Sequence, residues 1–385
     1  MSSLEVEIER ILPGGYGLAH SAGHTIFVSL AAPGDRLRVR VERQQGNVLF
    51  ASIEEILVAS PERIEPPCPY FGRCGGCDFQ QLTYEHQLAA KAEIIRDCLH
   101  RIARLPHVPE IVVTPSPRGW RYRMRATWQI DPDEQTIGYY ERGSRRVCDV
   151  ADCAVVVPQL EETLERLRKT EWHEFPPGLK HLDVVAGENG VSLAPAFAEF
   201  ETAELELKLA DEVYNYSAEA FFQVNPGLLA PLIEFALSDV SGEAAIDLYC
   251  GVGLFTLPLA RRFERVTGVE ANPIAVRFAK RNLQRAQLEN VRVVHAGVAE
   301  WIRGRALSSD FVLLDPPRAG AESAVIKGIV DSRAPRVSYV SCDPATLARD
   351  LKKLMAGGYV IEALRAYDLF PQTHHVETVV RLHLG

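Results

Sequence analysis

The chain has no run of about 18 apolar residues, the length a helix needs to cross a bilayer, so no membrane span is expected. The stretch from Met1 to Arg10 is acidic and amphipathic and lacks the basic-then-apolar order of a secretory signal. The cytoplasm is therefore the expected compartment. Positive charge is also short: 42 Lys and Arg stand against 51 Asp and Glu, a formal charge of −9. That balance counts against nucleic acid as a partner unless basic residues gather locally. No internal repeat and no low-complexity run occurs. Cysteine, by contrast, is present eight times. In a compartment where disulfides are rare, metal, cluster or catalytic roles are the readings to test. With 385 residues, 47% hydrophobic and 24% charged, the composition is that of a globular chain of two or three domains.

Three regions follow from texture. Residues 1–60 alternate apolar and polar in Val6-Glu7-Ile8-Glu9, Thr25-Ile26-Phe27-Val28 and Leu37 to Val41, with Pro13-Gly14-Gly15, Pro33-Gly34-Asp35 and Gln45-Gly46-Asn47 as turns. Short strands with tight turns predict a small β-barrel. Prolines at 61, 66, 67 and 69 read as a linker. Residues 61–215 then carry a cysteine-rich segment, a helix from Tyr84 to Arg104, strands at Ala126–Ile130 and His181–Val185, and a helix at Glu161–Lys169. From 216 to 385, short apolar runs (244–249, 265–269, 291–295, 310–314, 336–340) alternate with helical stretches such as Pro273–Ala286. This is the pattern of a doubly wound α/β, Rossmann-like sheet, whose ligands bind outside the carboxyl ends of the strands.

The motifs sit at those ends. Asp247-Leu248-Tyr249-Cys250-Gly251-Val252-Gly253 leaves the first strand and enters a helix expected near Leu254. Glycines admit a ligand close to the backbone. A Gly-x-Gly pair also suits a dinucleotide, but no third glycine follows, and the turn runs on to Pro258. The second strand ends in Glu270, where a carboxylate can accept both ribose hydroxyls; the bland alternative is a cap on the helix after Asn272-Pro273. Together these favour S-adenosylmethionine. Tyr249 would pack on that ligand or in the core.

The fourth strand ends in Asp315-Pro316-Pro317-Arg318, a stiff extended loop start. Amino-methyltransferases of nucleic acids carry an aromatic residue where Arg318 stands, so chemistry on an exocyclic nitrogen is disfavoured. The fifth strand ends in Ser341-Cys342-Asp343-Pro344, and Phe370 to Glu377 leads into a last strand. A lone cysteine is commonly a buried small hydrophobe. Facing a ligand crevice, Cys342 instead becomes a candidate nucleophile and Glu377 a candidate base. A thiol and a base suit alkylation at carbon 5 of a pyrimidine, because thiolate addition at carbon 6 makes carbon 5 nucleophilic.

With these four motifs, and Thr346-Leu347-Ala348-Arg349-Asp350 after the cysteine, the sequence resembles the RNA uracil-5 methyltransferases over nearly its whole length. The resemblance implies a class I S-adenosylmethionine-dependent fold, Cys342 as nucleophile and Glu377 as proton acceptor. It implies Gln223, Tyr249, Glu270 and Asp315 as cofactor-site residues; Gln223, in Phe221-Phe222-Gln223-Val224-Asn225, follows from the resemblance alone. Two positions depart from the family pattern: Leu254 stands where Asn is common, and Ala296-Gly297-Val298 where a polar residue often meets adenine. RNA cytosine-5 enzymes carry a second cysteine at the place of Pro317-Arg318, and the DNA cytosine-5 arrangement is absent. A non-catalytic RNA-binding assembly factor would be expected to have lost Cys342 or Glu377.

Cys68, Cys74 and Cys77 follow C-x5-C-x2-C and lack a fourth ligand, for which Cys148 and Cys153 are candidates. Spacing alone leaves zinc and a four-iron cluster open. Relatives with this Cys-Gly-Gly-Cys arrangement resemble [4Fe-4S] proteins whose fourth ligand matches Cys153. Cys98 and Cys250 read as structural. Arg118 to Arg125 interleaves four arginines with Trp120 and Tyr122, a pattern for gripping phosphates and stacking bases, which Arg142, Arg145 and Arg146 extend. The N-terminal barrel resembles the RNA-binding TRAM module, and barrel plus cysteines point to 23S rRNA as partner ahead of tRNA. A monomer is expected.

Overall fold

A computed structural model describes residues 3–305 and 307–385; the first two residues of the expected barrel lie outside them. The N-terminal region forms a six-stranded sheet in which Ser3–Glu7 pairs with Arg36–Gln45, which continues through Val48–Val58, His24–Ser29 and Tyr16–Ser21 to Arg10–Ile11. Its alternating apolar residues close on one core of Val6, Ile8, Ile26, Val28, Leu37 and Val39.

Centrally, a five-stranded antiparallel sheet runs in the order 147–149, 136–140, 125–131, 181–187, 190–194. The helix Pro158–Lys169 packs on it through Leu160, Leu164 and Leu167. A hairpin, Leu205–Leu209 with Glu212–Tyr216, follows.

The C-terminal sheet has seven long strands: β1 (Gly242–Leu248), β2 (Phe263–Glu270), β3 (Val291–His295), β4 (Phe311–Leu314), β5 (Arg336–Ser341), β6 (Tyr359–Tyr367) and β7 (Glu377–Leu384). Their order is β3-β2-β1-β4-β5-β7-β6, with the short strand Val113–Thr114 beyond β6. β1 to β5 are parallel, and β7 runs antiparallel to both its neighbours. Strands buried on both faces need near-continuous apolar sequence, which Phe311–Leu314 supplies. The helices that matter below are α1 (Tyr84–Arg101), α2 (Pro273–Arg285), α3 (Ser323–Ser332) and α4 (Pro344–Ala356).

α1 and Val113–Thr114 precede the central sheet in the chain yet belong spatially to the C-terminal one. Ile95, Cys98 and Leu99 share a core with β4, β5 and α4. The helix expected at Leu254 begins at Thr256 and spans only five residues. Among the described residues no helix is long and apolar enough to cross a membrane.

Candidate active site

Parallel strands end on one side of a sheet, and here the register brings the motif residues together. Leu248 pairs with Leu314, so Tyr249 and Asp315 leave neighbouring strands side by side. Ser341 pairs with Thr378, so Cys342, just past the end of β5, adjoins Glu377 at the start of β7. All four line a cavity of about 850 Å³ with Gln223, Glu270, Gly251, Pro316, Arg318 and Phe370.

At one end of this cavity the β1 turn takes left-handed backbone at Tyr249 (φ +64°), Gly251 (φ +55°) and Gly253 (φ +96°). A Cβ at Gly251 would meet nothing within 4 Å, so that face is open to a ligand. Glu270 is not a helix cap, because Asn272 caps α2 by accepting from the Ile274 and Ala275 amides. Glu270 instead accepts from the Gly251 amide at 3.0 Å and the Asn272 amide at 2.7 Å. Each oxygen keeps a lone pair for a hydroxyl. Asp247 lies buried beneath the turn and accepts from Thr256 Oγ1 at 2.5 Å; burial raises its pKa to about 7. The Tyr249 hydroxyl donates to Glu322, at the head of α3. Carboxylate, open glycines and an apolar wall of Leu254, Phe255 and Ala275 fit an adenosyl group.

At the other end stand the thiol and the carboxyls. Asp343 caps α4, accepting from the Ala345 and Thr346 amides, and puts Cys342 just ahead of a helix N-terminus. That position favours a thiolate. Against it, burial and then Glu377, Asp315 and Asp343 push the Cys342 thiol up to about 12. Burial raises Asp315 to about 7, and burial followed by Asp315 holds Glu377 well above the carboxylate range. Gln223 Nε2 lies 3.5 Å from Asp315 Oδ2, and Arg318 lies 3.8 Å from Asp343.

A second cavity, of about 390 Å³, shares Arg123, Thr127, Arg318, Cys342 and Phe370 with the first. Cys68, Cys74, Cys77 and Cys153 all line it. The buried Cys148 does not; its sulfur accepts from Arg73 Nε at 3.1 Å. Among the described residues no three His, Cys, Asp or Glu side chains are disposed to hold one metal ion.

Part of the arginine-aromatic stretch turns inward, while Arg118 stays exposed and Trp120 half-buried. Tyr122 is buried, donating to Pro371 O at 3.0 Å, and cannot stack on a base. Arg121 pairs with Glu161, and Arg125 donates to the carbonyls of Ala218 and Ala220. Arg142 and Arg146 are likewise engaged, with Cys77 O and Glu141. An exposed aromatic ring at the cavity mouth is Phe221, 61% accessible, with Arg125 5.9 Å from its centroid. No sequence signal marked it, since Phe222 beside it is buried.

Comparison with known proteins matches this geometry. A family profile described as tRNA (Uracil-5-)-methyltransferase matches residues 197–384. The chain is 34% identical to a 23S rRNA (uracil(1939)-C(5))-methyltransferase of Pseudomonas putida, over 99% of this chain and 93% of that protein. It is 30% identical to an uncharacterized RNA methyltransferase of Aquifex aeolicus, over 99% and 98%. The crystal structure of the Pyrococcus abyssi tRNA (uracil-54, C5)-methyltransferase with S-adenosyl-L-homocysteine superposes with a TM-score of 0.76 at 26% identity, covering 98% of this chain and all of that one.

Proposed function

The chain belongs to the RNA uracil-5 methyltransferase family, and on that premise we propose that it methylates carbon 5 of a uridine in 23S rRNA through a covalent adduct on Cys342 that Glu377 resolves. Its donor is S-adenosylmethionine, as the family and the S-adenosyl-L-homocysteine-bound relative indicate. When bound, the donor supplies an electrophilic methyl group and a sulfonium charge. The covalent route rests on one observation: a thiol and a carboxyl at adjoining strand ends of one cavity.

Carbon 5 of uracil is a poor nucleophile. Once its proton has passed to water, the Cys342 thiolate adds to carbon 6, forming a C–S bond and moving the ring electrons toward the carbonyl at carbon 4 as an enolate, so carbon 5 can be alkylated. A base then removes the carbon 5 proton, the electrons restore the 5,6 double bond, and the sulfur leaves as thiolate. Burial raises both Asp315 and Glu377, and Asp315 raises Glu377 further, so the two act as one coupled pair that shares a negative charge and resists a second. The pair can therefore accept one proton. Tyr249, Glu270 and Gln223 orient donor and base around it. Glu377→Gln should leave adduct formation intact and slow its resolution. Denaturing gels of the variant with RNA should then show a covalent protein–RNA band; methylation at the normal rate with no such band would sink the assignment.

For the RNA, the Pseudomonas putida relative and the cysteine-bearing architecture support 23S rRNA; the family profile and the Pyrococcus structure carry tRNA names and support the second reading. Mapping 5-methyluridine in both RNAs from cells with and without the gene separates them. Residues 1–60 are proposed as a TRAM-like RNA-binding module. Support comes from Tyr16, Phe27 and Phe50 clustered on its surface, with Arg43 3.7 Å above the Phe50 ring. Residues 61–215 are proposed to hold a [4Fe-4S] cluster on Cys68, Cys74, Cys77 and Cys153, which all line one cavity. Such a cluster would tie the cysteine segment to the central sheet.

A further inference from the structure

Glu377 is the first residue of β7, and the segment before it, Asp368 to Val376, is held by parts of the chain remote in sequence. Asp368 forms a fully buried ion pair with Lys91 of α1 and accepts from the Tyr84 hydroxyl at 2.8 Å. Lys91 also donates to Phe370 O at 3.0 Å. At the centre is Gln372, buried and in left-handed backbone at φ +69°, a conformation a non-glycine residue keeps only when its surroundings enforce it. Its surroundings do so at every polar atom. The Gln372 amide donates to Gln87 Oε1 at 3.0 Å, and Gln87 Nε2 donates back to Gln372 Oε1 at 2.9 Å. Gln372 Nε2 donates to Gly119 O at 3.2 Å, and Gln372 O accepts from the amides of Asp78 and Phe79 at 3.1 and 3.0 Å.

We infer that Gln87 and Gln372 form a positioning pair that sets where Glu377 stands relative to carbon 5, a statement that rests on the base reading above. Neither side chain lines either cavity, so neither touches substrate or donor. From Thr378 onward, β7 is fixed by its ladder to β5, and Glu377 is the terminal pair of the β6–β7 ladder, opposite Tyr367. Freedom gained by loosening Gln372 is therefore confined to the β6–β7 turn and to the terminal pair that closes it, Glu377 included. Cys342 hangs from β5 and the head of α4 and keeps its place. The step that suffers is proton removal from carbon 5 to the Glu377 carboxylate, with the C–S bond breaking and the thiolate leaving. Addition of the thiol does not depend on it.

The test is Gln87→Met, nearly equal in volume and unable to make either bond, assayed in the full-length protein by single turnover with RNA and S-adenosylmethionine. Adduct lifetime should lengthen about tenfold, well inside the ~100-fold that a misplacement of ~1 Å can cost. KM for both substrates should stay within about twofold. Gln372→Gly, which keeps the left-handed backbone but deletes the amide, should do the same from the other side and covers a failure of Gln87→Met to fold. Combined with Glu377→Gln, Gln87→Met should add nothing, because both act on one step. A purely structural role would lower the thermal midpoint and the active fraction while leaving the adduct lifetime of the active molecules unchanged, and that result overturns the inference. If Glu377→Gln prolongs the adduct and Gln87→Met does not, the positioning pair fails and the base stands. If Glu377→Gln does not prolong it, both fall.

Discussion

The two cavities share a wall of five residues and are built in opposite ways. The larger is assembled from the ends of parallel strands, and its working groups are carboxyls and one thiol held by ladder register and helix caps. The smaller is assembled from the cysteine-bearing loop and from the central sheet's Thr127 and Tyr139, and four cysteines line it, Cys153 coming from just past the short strand 147–149. In the first, long strand ladders set the geometry. In the second, the backbone tie between the cysteine segment and the sheet is a single bridge, Cys74 to Glu141, where the Gly75 amide donates to Tyr140 O at 2.9 Å. A group bound there would supply a further cross-link. The strand-end site should therefore tolerate loss of a single side chain as a fold and lose only chemistry; the loop site should lose structure.

Three cysteine substitutions test that contrast at its extremes. Cys342→Ala removes the nucleophile without disturbing a ladder, and methylation should fall below detection, a loss of at least ~1,000-fold. Binding of S-adenosylmethionine by calorimetry should persist at about the wild-type affinity. Turnover surviving in that variant would remove Cys342 from the reaction. Next in size is the comparison of Cys153→Ser with Cys148→Ser. Anaerobically purified wild-type protein should be brown with about four irons per chain. Cys153→Ser should lose the colour and most of the iron and unfold at lower temperature, and Cys148→Ser, whose thiol meets Arg73 outside the cavity, should keep both. A colourless, zinc-bearing wild type, or iron lost equally from both variants, would break the distinction.

The same contrast explains what could be read from sequence. A residue at a strand's carboxyl end is announced by the apolar run before it. Tyr249, Glu270, Asp315 and Cys342 were legible for that reason, and β3 was bounded residue for residue at Val291–His295. Glu377 could be named, but its approach to Cys342 depends on β7 running antiparallel beside β5, a pairing no local pattern encodes. Cys148 lies on the strand Val147–Asp149 and Cys153 beyond it, and that only Cys153 faces the cavity is a matter of side-chain direction that spacing does not give. Tyr122 sits in a basic stretch that reads as surface, yet its alternation places it inward, with Met124 and Ala126. Gln87 and Gln372 were invisible, because their partnership spans 285 positions and neither residue type signals burial.

The smallest expected effect probes the carboxyls around the thiol. Cys342 is held up to about 12, by burial first and then by Glu377 and Asp315. Burial raises both carboxyls and Asp315 raises Glu377 further, so the two titrate as a coupled pair that resists carrying a second negative charge. Replacing either one alone relieves its neighbour of repulsion, and the remaining carboxyl ionises at lower pH, so one negative charge stays beside the sulfur. Asp315→Asn and Glu377→Gln should each alter the rate of iodoacetamide alkylation at Cys342, read by peptide mass in ligand-free protein, by no more than about twofold. The double variant removes the charge altogether. Its thiol pKa should fall, and alkylation at pH 8 should rise on the order of tenfold, one pKa unit of Coulombic repulsion. The sign with pH follows from the same groups. Below the titration of the pair, near pH 5, the wild-type carboxyls are neutral and the double variant should label at the wild-type rate, with the advantage appearing as pH rises through 7. No gain in the double variant at pH 8 would mean that burial alone holds the thiol protonated and that the carboxyl pair acts on Cys342 only once substrate is bound; a gain equal at pH 5 and 8 would mean that the substitutions opened access to the thiol and did not act through charge.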